Sequence, residues 1–198
     1  MVPNKPGRER VSAAAAELFY ERGFHAVGVD LIIEQAGVAK TTLYRHFGSK
    51  DELIVAYLED ANARFWTWFE ASIDRTAEPR ERLIGLFAAV ERLATDPGCL
   101  GCTFQATAAE FPETEHVGHA TALAHKQSVR ARLGELAADT GASDPNALAD
   151  ALLLLMDGAF AAARMYRRSS PAAQVAAAAR VLINAHVPTG TRSPRVRR

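Results

Sequence analysis

The chain has 198 residues, with 23 Lys and Arg against 23 Asp and Glu, so its formal net charge is zero. A hydrophobic share of 48% and a charged share of 23% exclude wholesale disorder and collagen-like repeats, and leave enough apolar surface for a packed core. Two cysteines are too few for a secreted disulfide scaffold, and Met1-Val2-Pro3-Asn4-Lys5-Pro6-Gly7-Arg8 lacks the apolar centre of a signal peptide.

No segment alternates apolar and polar residues as a half-buried strand does, so the expected fold class is all-α. Val11, Ala14, Ala15, Leu18 and Phe19 form one stripe of a first helix that stops before Gly23, a glycine suited to a left-handed cap, with Phe24 folding back on the stripe. A second helix is expected over Val29 to Ala36, ended by Gly37, and a short third over Lys40 to His46. Lys50-Asp51-Glu52 opens a long fourth helix, burying Leu53, Tyr57, Leu58, Ala61, Phe65, Trp68 and Phe69; acidic residues in its first turn suit the helix dipole. Glu78-Pro79 starts a fifth helix that Asp96-Pro97-Gly98 breaks, and Cys102 to Phe111 is a short sixth, stopped by Pro112. The seventh runs from Glu113 to Thr140, the eighth from an Asp144 cap to about Arg168, and an Ala-rich ninth from Ser170-Pro171 to near His186. The apolar stretch Leu148 to Met165 carries Asp150, Asp157 and Arg164, which argues against a membrane span. A soluble, cytoplasmic protein is expected.

The zero total charge hides a gradient. Residues 1–50 carry +2, residues 51–188 carry −6, and the last ten residues add Arg192, Arg195, Arg197 and Arg198. A small basic head on an acidic body is enough for a local phosphate contact. Within that head, Gly28 to Lys50 has the dimensions of a helix-turn-helix: a helix of about eight residues, a turn at Gly37, and a second short helix. Ile32, Ala36, Val38 and Leu43 would lock the two helices. Lys40, Thr41, Thr42, Tyr44, Arg45 and His46 would project donors toward phosphates or base edges. On geometry alone, an ordinary helical corner with a solvated face meets the same pattern.

The residues go further. Ile32-Ile33-Glu34-Gln35-Ala36-Gly37-Val38-Ala39-Lys40-Thr41-Thr42-Leu43-Tyr44-Arg45-His46-Phe47-Gly48-Ser49-Lys50-Asp51-Glu52-Leu53 closely resembles the DNA-binding signature of TetR-type transcriptional repressors. The resemblance implies an all-α homodimer with a three-helix DNA-binding head and a six-helix body that binds a small effector. It places Lys40, Thr41 and Thr42 at base-reading positions, Tyr44, His46 and Lys50 at phosphate-gripping ones, and Leu43 and Phe47 at structural ones. Three departures bear on the operator sequence. Ala39 replaces a frequent capping Ser, Ile33 stands where a small Ala is usual, and Asp30 stands where some members carry a basic DNA contact. Asp30 has two readings, service to the helix N-terminus or acceptance from a cytosine amino group.

Outside the head, Cys99-Leu100-Gly101-Cys102 is a Cys-x-x-Cys without the second ligand pair that zinc needs. Some all-α peroxide-reducing enzymes place a His four residues after such a pair, but here Ala106 stands there. Gly101 to Phe111 resembles the Gly-Cys-led sixth helix of many TetR-type proteins, so both thiols are expected to be structural, with redox sensing the alternative. His116 and His119 share a helix face and His125 does not, so no metal site is expected. No phosphate loop or nucleophile elbow occurs, and neither a cofactor nor enzymatic activity is expected.

Trp66, Phe69, Phe87, Phe104, Phe111, Met156 and Phe160 lie on the helices that line the effector cavity in the resembled family, although plain core is the other reading of each. Gln105, His125 and Asp157 add polar groups in apolar surroundings, for which either an internal hydrogen bond or a ligand would serve as partner. Leu148, Leu152, Leu155, Ala159 and Ala162, with Val175, Ala178, Ala179, Leu182 and Ile183, form paired stripes on the last two helices. From these, Leu152, Leu155, Ala159, Ala178 and Leu182 are taken as the dimer interface of a four-helix bundle. The expected division is a DNA-binding domain over 1–50, an effector-binding and dimerisation domain over 51–188, and a disordered basic tail over 189–198. The function that follows is a ligand-responsive regulator, in the main a repressor released from double-stranded operator DNA by an unknown small effector. The alternative is a helical ligand-binding or thiol redox protein that no longer binds DNA.

Overall fold

The computed structural model describes residues 6–187, apart from the side chain of Arg168. The expected tail over 189–198 lies outside these residues. In chain order the helices are α1 (Gly7–Arg22), α2 (Val29–Ala36), α3 (Lys40–His46), α4 (Lys50–Ala71), α5 (Pro79–Ala94), α6 (Thr103–Glu110), α7 (Val117–Asp139), α8 (Pro145–Tyr166) and α9 (Val175–His186). No strand occurs among the described residues. They form two compact units, one of residues 6–70 with 98–128, the other of 71–97 with 129–187.

The first unit is built around α1. Its stripe of Val11, Ala14, Ala15, Leu18 and Phe19 is buried, together with Phe24, Val27, Ile32, Leu43, Phe47, Leu53, Ile54, Tyr57 and Leu58. Phe104 and Phe111, from α6 and its end, belong to the same core. At the end of α2, Gly37 has left-handed backbone (φ 61°, ψ 41°). Its N–H donates to Glu34 O at 3.1 Å and that of Val38 to Ile33 O at 3.2 Å, so the last carbonyls of α2 are satisfied by a Schellman pair. Gly23 departs from its expected role. Its φ of 83° goes with an extended ψ of 173°, a region open to glycine alone.

In the second unit, α5, α8 and α9 pack mutually, burying Leu83, Leu86, Phe87, Val90, Leu148, Leu152, Met156, Ala179 and Ile183. Asp144 caps α8 as expected, its carboxylate accepting from Ala147 N at 3.0 Å. By length and apolar character α8 is the one described helix that could cross a membrane. Its buried face is committed to this packing.

Three helix boundaries shift. α7 starts at Val117 rather than Glu113 because His116 Nδ1 accepts from Gly118 N (3.1 Å) and caps it there. α8 stops at Tyr166, where Arg167 turns to positive φ (57°). The chain from Pro171 first makes a 3-10 turn to Gln174, started by Ser170 Oγ accepting from Ala172 N, so α9 begins only at Val175.

The Asp144 cap carries a direct expectation. Asp144→Ala should lower unfolding free energy by about 1 kcal/mol, read from urea denaturation, with helix content otherwise unchanged.

Candidate nucleic-acid interface and aromatic cluster

The presentation of α3 follows from its anchors. Leu43 is wholly buried and Phe47, which ends the helix, is 3% exposed, so the opposite face must be solvated. Lys40, Thr41, Tyr44, Arg45 and His46 are all exposed. Thr42 is half-buried, and a Cβ at Gly7 would sit 2.7 Å from its methyl, so its side chain is partly occupied by packing against the start of α1. Arg10 supports the turn before α3, donating from Nη1 to Gly37 O at 3.1 Å.

The two lysines here, Lys40 and Lys50, already have partners. Lys40 Nζ donates to Asp30 Oδ1 at 3.1 Å, and that hydrogen bond and charge hold the ammonium above the usual lysine pKa. Of the two sequence readings of Asp30, neither includes this pairing. Lys50 Nζ donates to the backbone carbonyl of Phe24 at 2.6 Å, tying the start of α4 to the α1–α2 connection. Ser49 caps α4 by accepting from Glu52 N, while the Glu52 carboxylate accepts from Gly48 N, a near relative of the capping box.

A second long-range tie was not legible in sequence. Glu110, the last residue of α6, accepts through Oε2 from the N–H groups of Phe24 and His25, both at 2.7 Å. A Cβ on Gly23 would come within 2.4 Å of the other carboxylate oxygen, so this glycine is required by both backbone angle and space. Phe111, named among the effector residues with plain core as its other reading, packs here. It stacks on His116 at 4.0 Å and lies 4.8 Å from His25 and 5.7 Å from Phe24 between ring centres. The cause is its place just after α6, where the chain turns back toward the α1–α2 connection.

The Cys-x-x-Cys stretch is clamped by α1. Leu100 N donates to the Tyr20 hydroxyl at 2.7 Å, and that hydroxyl donates to Gly101 O at 3.4 Å. Cys99 is buried, Cys102 is half-buried at the N-cap of α6, and both thiols are free. Tyr57 meets Thr103 through a hydroxyl contact of 2.8 Å. Among the described residues no group of three or more His, Cys, Asp or Glu could hold a metal ion. A groove of about 430 Å³ between α1 and α4, floored in part by Ala13, Ala16, Ala56 and Tyr57, had no signal in the apolar periodicity.

Of the residues expected at an effector, the structure gathers Trp66, Phe69, Phe104 and His125 in the first unit. Phe65 joins them, meeting Trp66 at 5.5 Å, Phe69 at 5.6 Å and His125 at 4.7 Å between ring centres. Phe104 stacks on His125 at 3.6 Å. The imidazole donates from Nδ1 to Asn62 Oδ1 at 2.7 Å, which leaves Nε2 unprotonated in the neutral ring. Gln105 is half-buried nearby in sequence on α6. Phe87, Met156 and Phe160 are core residues of the second unit, and Asp157 is half-buried there.

The expected dimer residues require correction. Leu152 is wholly buried and Ala159 is 5% exposed within the protomer, so neither offers a surface for a partner. Leu155, Ala178 and Leu182 are half-buried. Exposed apolar side chains on these two helices include Leu154 (72% exposed) and Val181 (68%), one position before Leu155 and Leu182, and Met165 (76%) near the end of α8.

These features define an all-α protein with an exposed helix-turn-helix. Residues 12–57 match the family model of bacterial regulatory proteins of the tetR family. SCO4454, a TetR-family transcriptional regulator from Streptomyces coelicolor, is 30% identical with a TM-score of 0.88 over 92% of this chain and 97% of its own. A second TetR-type regulator, from Streptomyces avermitilis, is 33% identical with a TM-score of 0.81 over 92% and 98%. The chain belongs to the TetR family of transcriptional regulators. It is similar also to the transcriptional repressor KstR2 of Mycobacterium tuberculosis, 40% identical over 38% of each chain. The transcriptional activator FasR of Mycolicibacterium smegmatis is 38% identical over 41% of this chain and 37% of its own. The matched region spans about two fifths of these curated relatives. All four are named as regulators and not as enzymes, in keeping with the expectation from sequence.

Burial holds the His125 pKa down to about 3, with Lys126 adding to the effect. In the unfolded chain it titrates near 6.5, so between those values the unfolded state binds the extra proton. Stability should therefore be full above pH 6.5 and fall on acidification toward 3, by up to about 1.4 kcal/mol per pH unit. His125→Gln should flatten this slope in denaturation curves taken from pH 7 to 4; an unchanged slope would place the titration elsewhere.

Proposed function

We propose that this chain is a DNA-binding transcriptional regulator that responds to a small effector, acting in the main as a repressor released from its operator. The observation that carries the reading is α3. Leu43 and Phe47 are sunk in the core while Lys40, Thr41, Tyr44, Arg45 and His46 stand exposed on the other side, the distribution a recognition helix needs to enter a major groove. Residues 1–50 serve as the DNA-binding head and 51–188 as the effector-binding and dimerising body. Lys40, Thr41 and Thr42 meet bases, and Tyr44, Arg45, His46 and Lys50 grip phosphate, with Lys50 also keeping the Phe24 carbonyl in place. The double-stranded partner is an operator, and the site of action is the cytoplasm.

The effector contacts assigned here are Trp66, Phe69, Phe104, Gln105 and His125 of the first unit. An aromatic surface with a neutral imidazole suits an uncharged, largely apolar molecule. Dimerisation uses the outward stripes of α8 and α9: Leu154, Leu155, Ala161, Ala162 and Met165 on the first, Ala178, Val181 and Leu182 on the second. Their spacings of three, four and seven residues place them on one side of each helix, and an apolar face of this kind on a monomer is normally covered.

A gel-shift with the DNA flanking the protein's own gene tests the reading directly. The wild type should shift it in competition with mixed-sequence duplex. Arg45→Ala should weaken all sequences alike and lower the salt slope by about one unit. Failure of the wild type to discriminate would favour the alternative of a helical ligand-binding protein that has lost DNA binding. For the dimer, the Leu154→Glu/Val181→Glu double variant should sediment as a folded monomer and lose operator binding, since one head reaches one half-site. Persistence of the dimer would exclude these stripes.

A further inference from the structure

We infer that Asp30 and Lys40 act as a unit that reads one G·C base pair, a role that rests on the DNA-binding reading above. Asp30 is the second residue of α2 and Lys40 the first of α3, so the pair joins the two helices of the helix-turn-helix at its outer surface. The side chains remain 83% and 58% exposed, respectively, with Nζ and Oδ1 3.1 Å apart. The pair is therefore displayed rather than used in packing.

The chemistry of the pair matches one base-pair edge. In the major groove, G offers N7 and O6 as acceptors and C offers an N4 amino donor. O6 and N4 are joined by a base-pairing hydrogen bond, so they lie about 2.9 Å apart. Lys40 and Asp30 present a donor and an acceptor at nearly the same spacing with the opposite polarity. The ammonium can donate to O6 and N7 together while the carboxylate accepts the N4 hydrogen that base pairing leaves free. An A·T pair also sets a donor, N6, beside an acceptor, O4, but with the ammonium on O4 the lysine loses its second acceptor and adenine N7 lies next to the carboxylate.

The tie also restrains Lys40. An unpaired lysine on this face would take a phosphate from any sequence. Held by Asp30, it gains nothing from a bare backbone, and the carboxylate is repelled by phosphate unless a cytosine amino group receives it. The acidic residue thus lowers binding to non-cognate DNA and raises discrimination. A lysine at the first position of a helix opposes the helix dipole, and Ala39 supplies no side-chain cap, so the nearby carboxylate also offsets a local cost.

Selection from a random duplex library with the wild type, Asp30→Ala, Asp30→Asn, Lys40→Ala and the Asp30→Ala/Lys40→Ala double variant tests this. Exposure of both side chains makes a folded, cooperatively melting protein the expected control for every variant. The wild type should select a half-site with one G·C position preferred by roughly tenfold over A·T. Each single substitution should flatten that position alone, and the double variant should lose no more than either. On mixed-sequence duplex, Asp30→Ala should bind a few-fold tighter, with a salt slope steeper by about one as Lys40 turns to phosphate. The inference is overturned if Asp30→Ala selects the wild-type motif unchanged, or if the position it flattens is A·T. If the wild type alone enriches no sequence, the DNA-binding reading itself falls and takes the pair's role with it.

Discussion

A helix of seven residues is too short to hold itself together in water, so the form of α3 depends on what fixes its two ends. At its near end the left-handed Gly37 and the bonds from Gly37 and Val38 to Glu34 and Ile33 set the direction in which the chain leaves α2. Through its middle and far end, Leu43 and Phe47 drop into the core made with α1. With no capping side chain at Ala39, those tertiary anchors are what keep α3 helical. Its polar face is exposed because the apolar one is spent. The exposure of Lys40, Thr41, Tyr44, Arg45 and His46 and the Asp30–Lys40 pairing both depend on that arrangement.

The rest of the first unit reinforces the corner from behind. Lys50 and Glu110 both converge on the α1–α2 connection, one donating to the Phe24 carbonyl and the other accepting from the Phe24 and His25 amides. Both groups are charged, and hydrogen bonds to charged groups are the stronger kind. They bring the beginning of α4 and the end of α6 onto the same few backbone atoms. Tyr20 does similar work on the Cys-x-x-Cys turn, where its hydroxyl satisfies both an N–H and a carbonyl. A motion of α6 would therefore be felt directly at the base of the helix-turn-helix. The aromatic cluster of Phe104 and His125 is thus linked through α6 to the backbone on which the helix-turn-helix rests.

In the second unit the same sequence pattern has two uses. α8 and α9 are apolar over most of their circumference, so the stripe chosen from periodicity had several candidates of nearly equal quality. Leu152 and Ala159 turned inward and Leu154 and Val181 outward. Periodicity measures the angle between residues on one helix and is silent on which angle faces a neighbour. Only the packing of α5 against both helices selects it.

The number and order of helices, the turn at Gly37, the cap at Asp144 and the position of the helix-turn-helix were determined by sequence alone. Each rests on interactions within about one helical turn, or on a motif whose residues are contiguous. The pairing of Asp30 with Lys40, the ties of Lys50 and Glu110 to Phe24, the withdrawal of Phe111 from the aromatic cluster and the inward turn of Leu152 were decided by tertiary structure. These join residues that are distant in the chain or choose among equivalent helix faces, and a hydrogen-bond partner or a buried face exists only once the helices have been placed against one another.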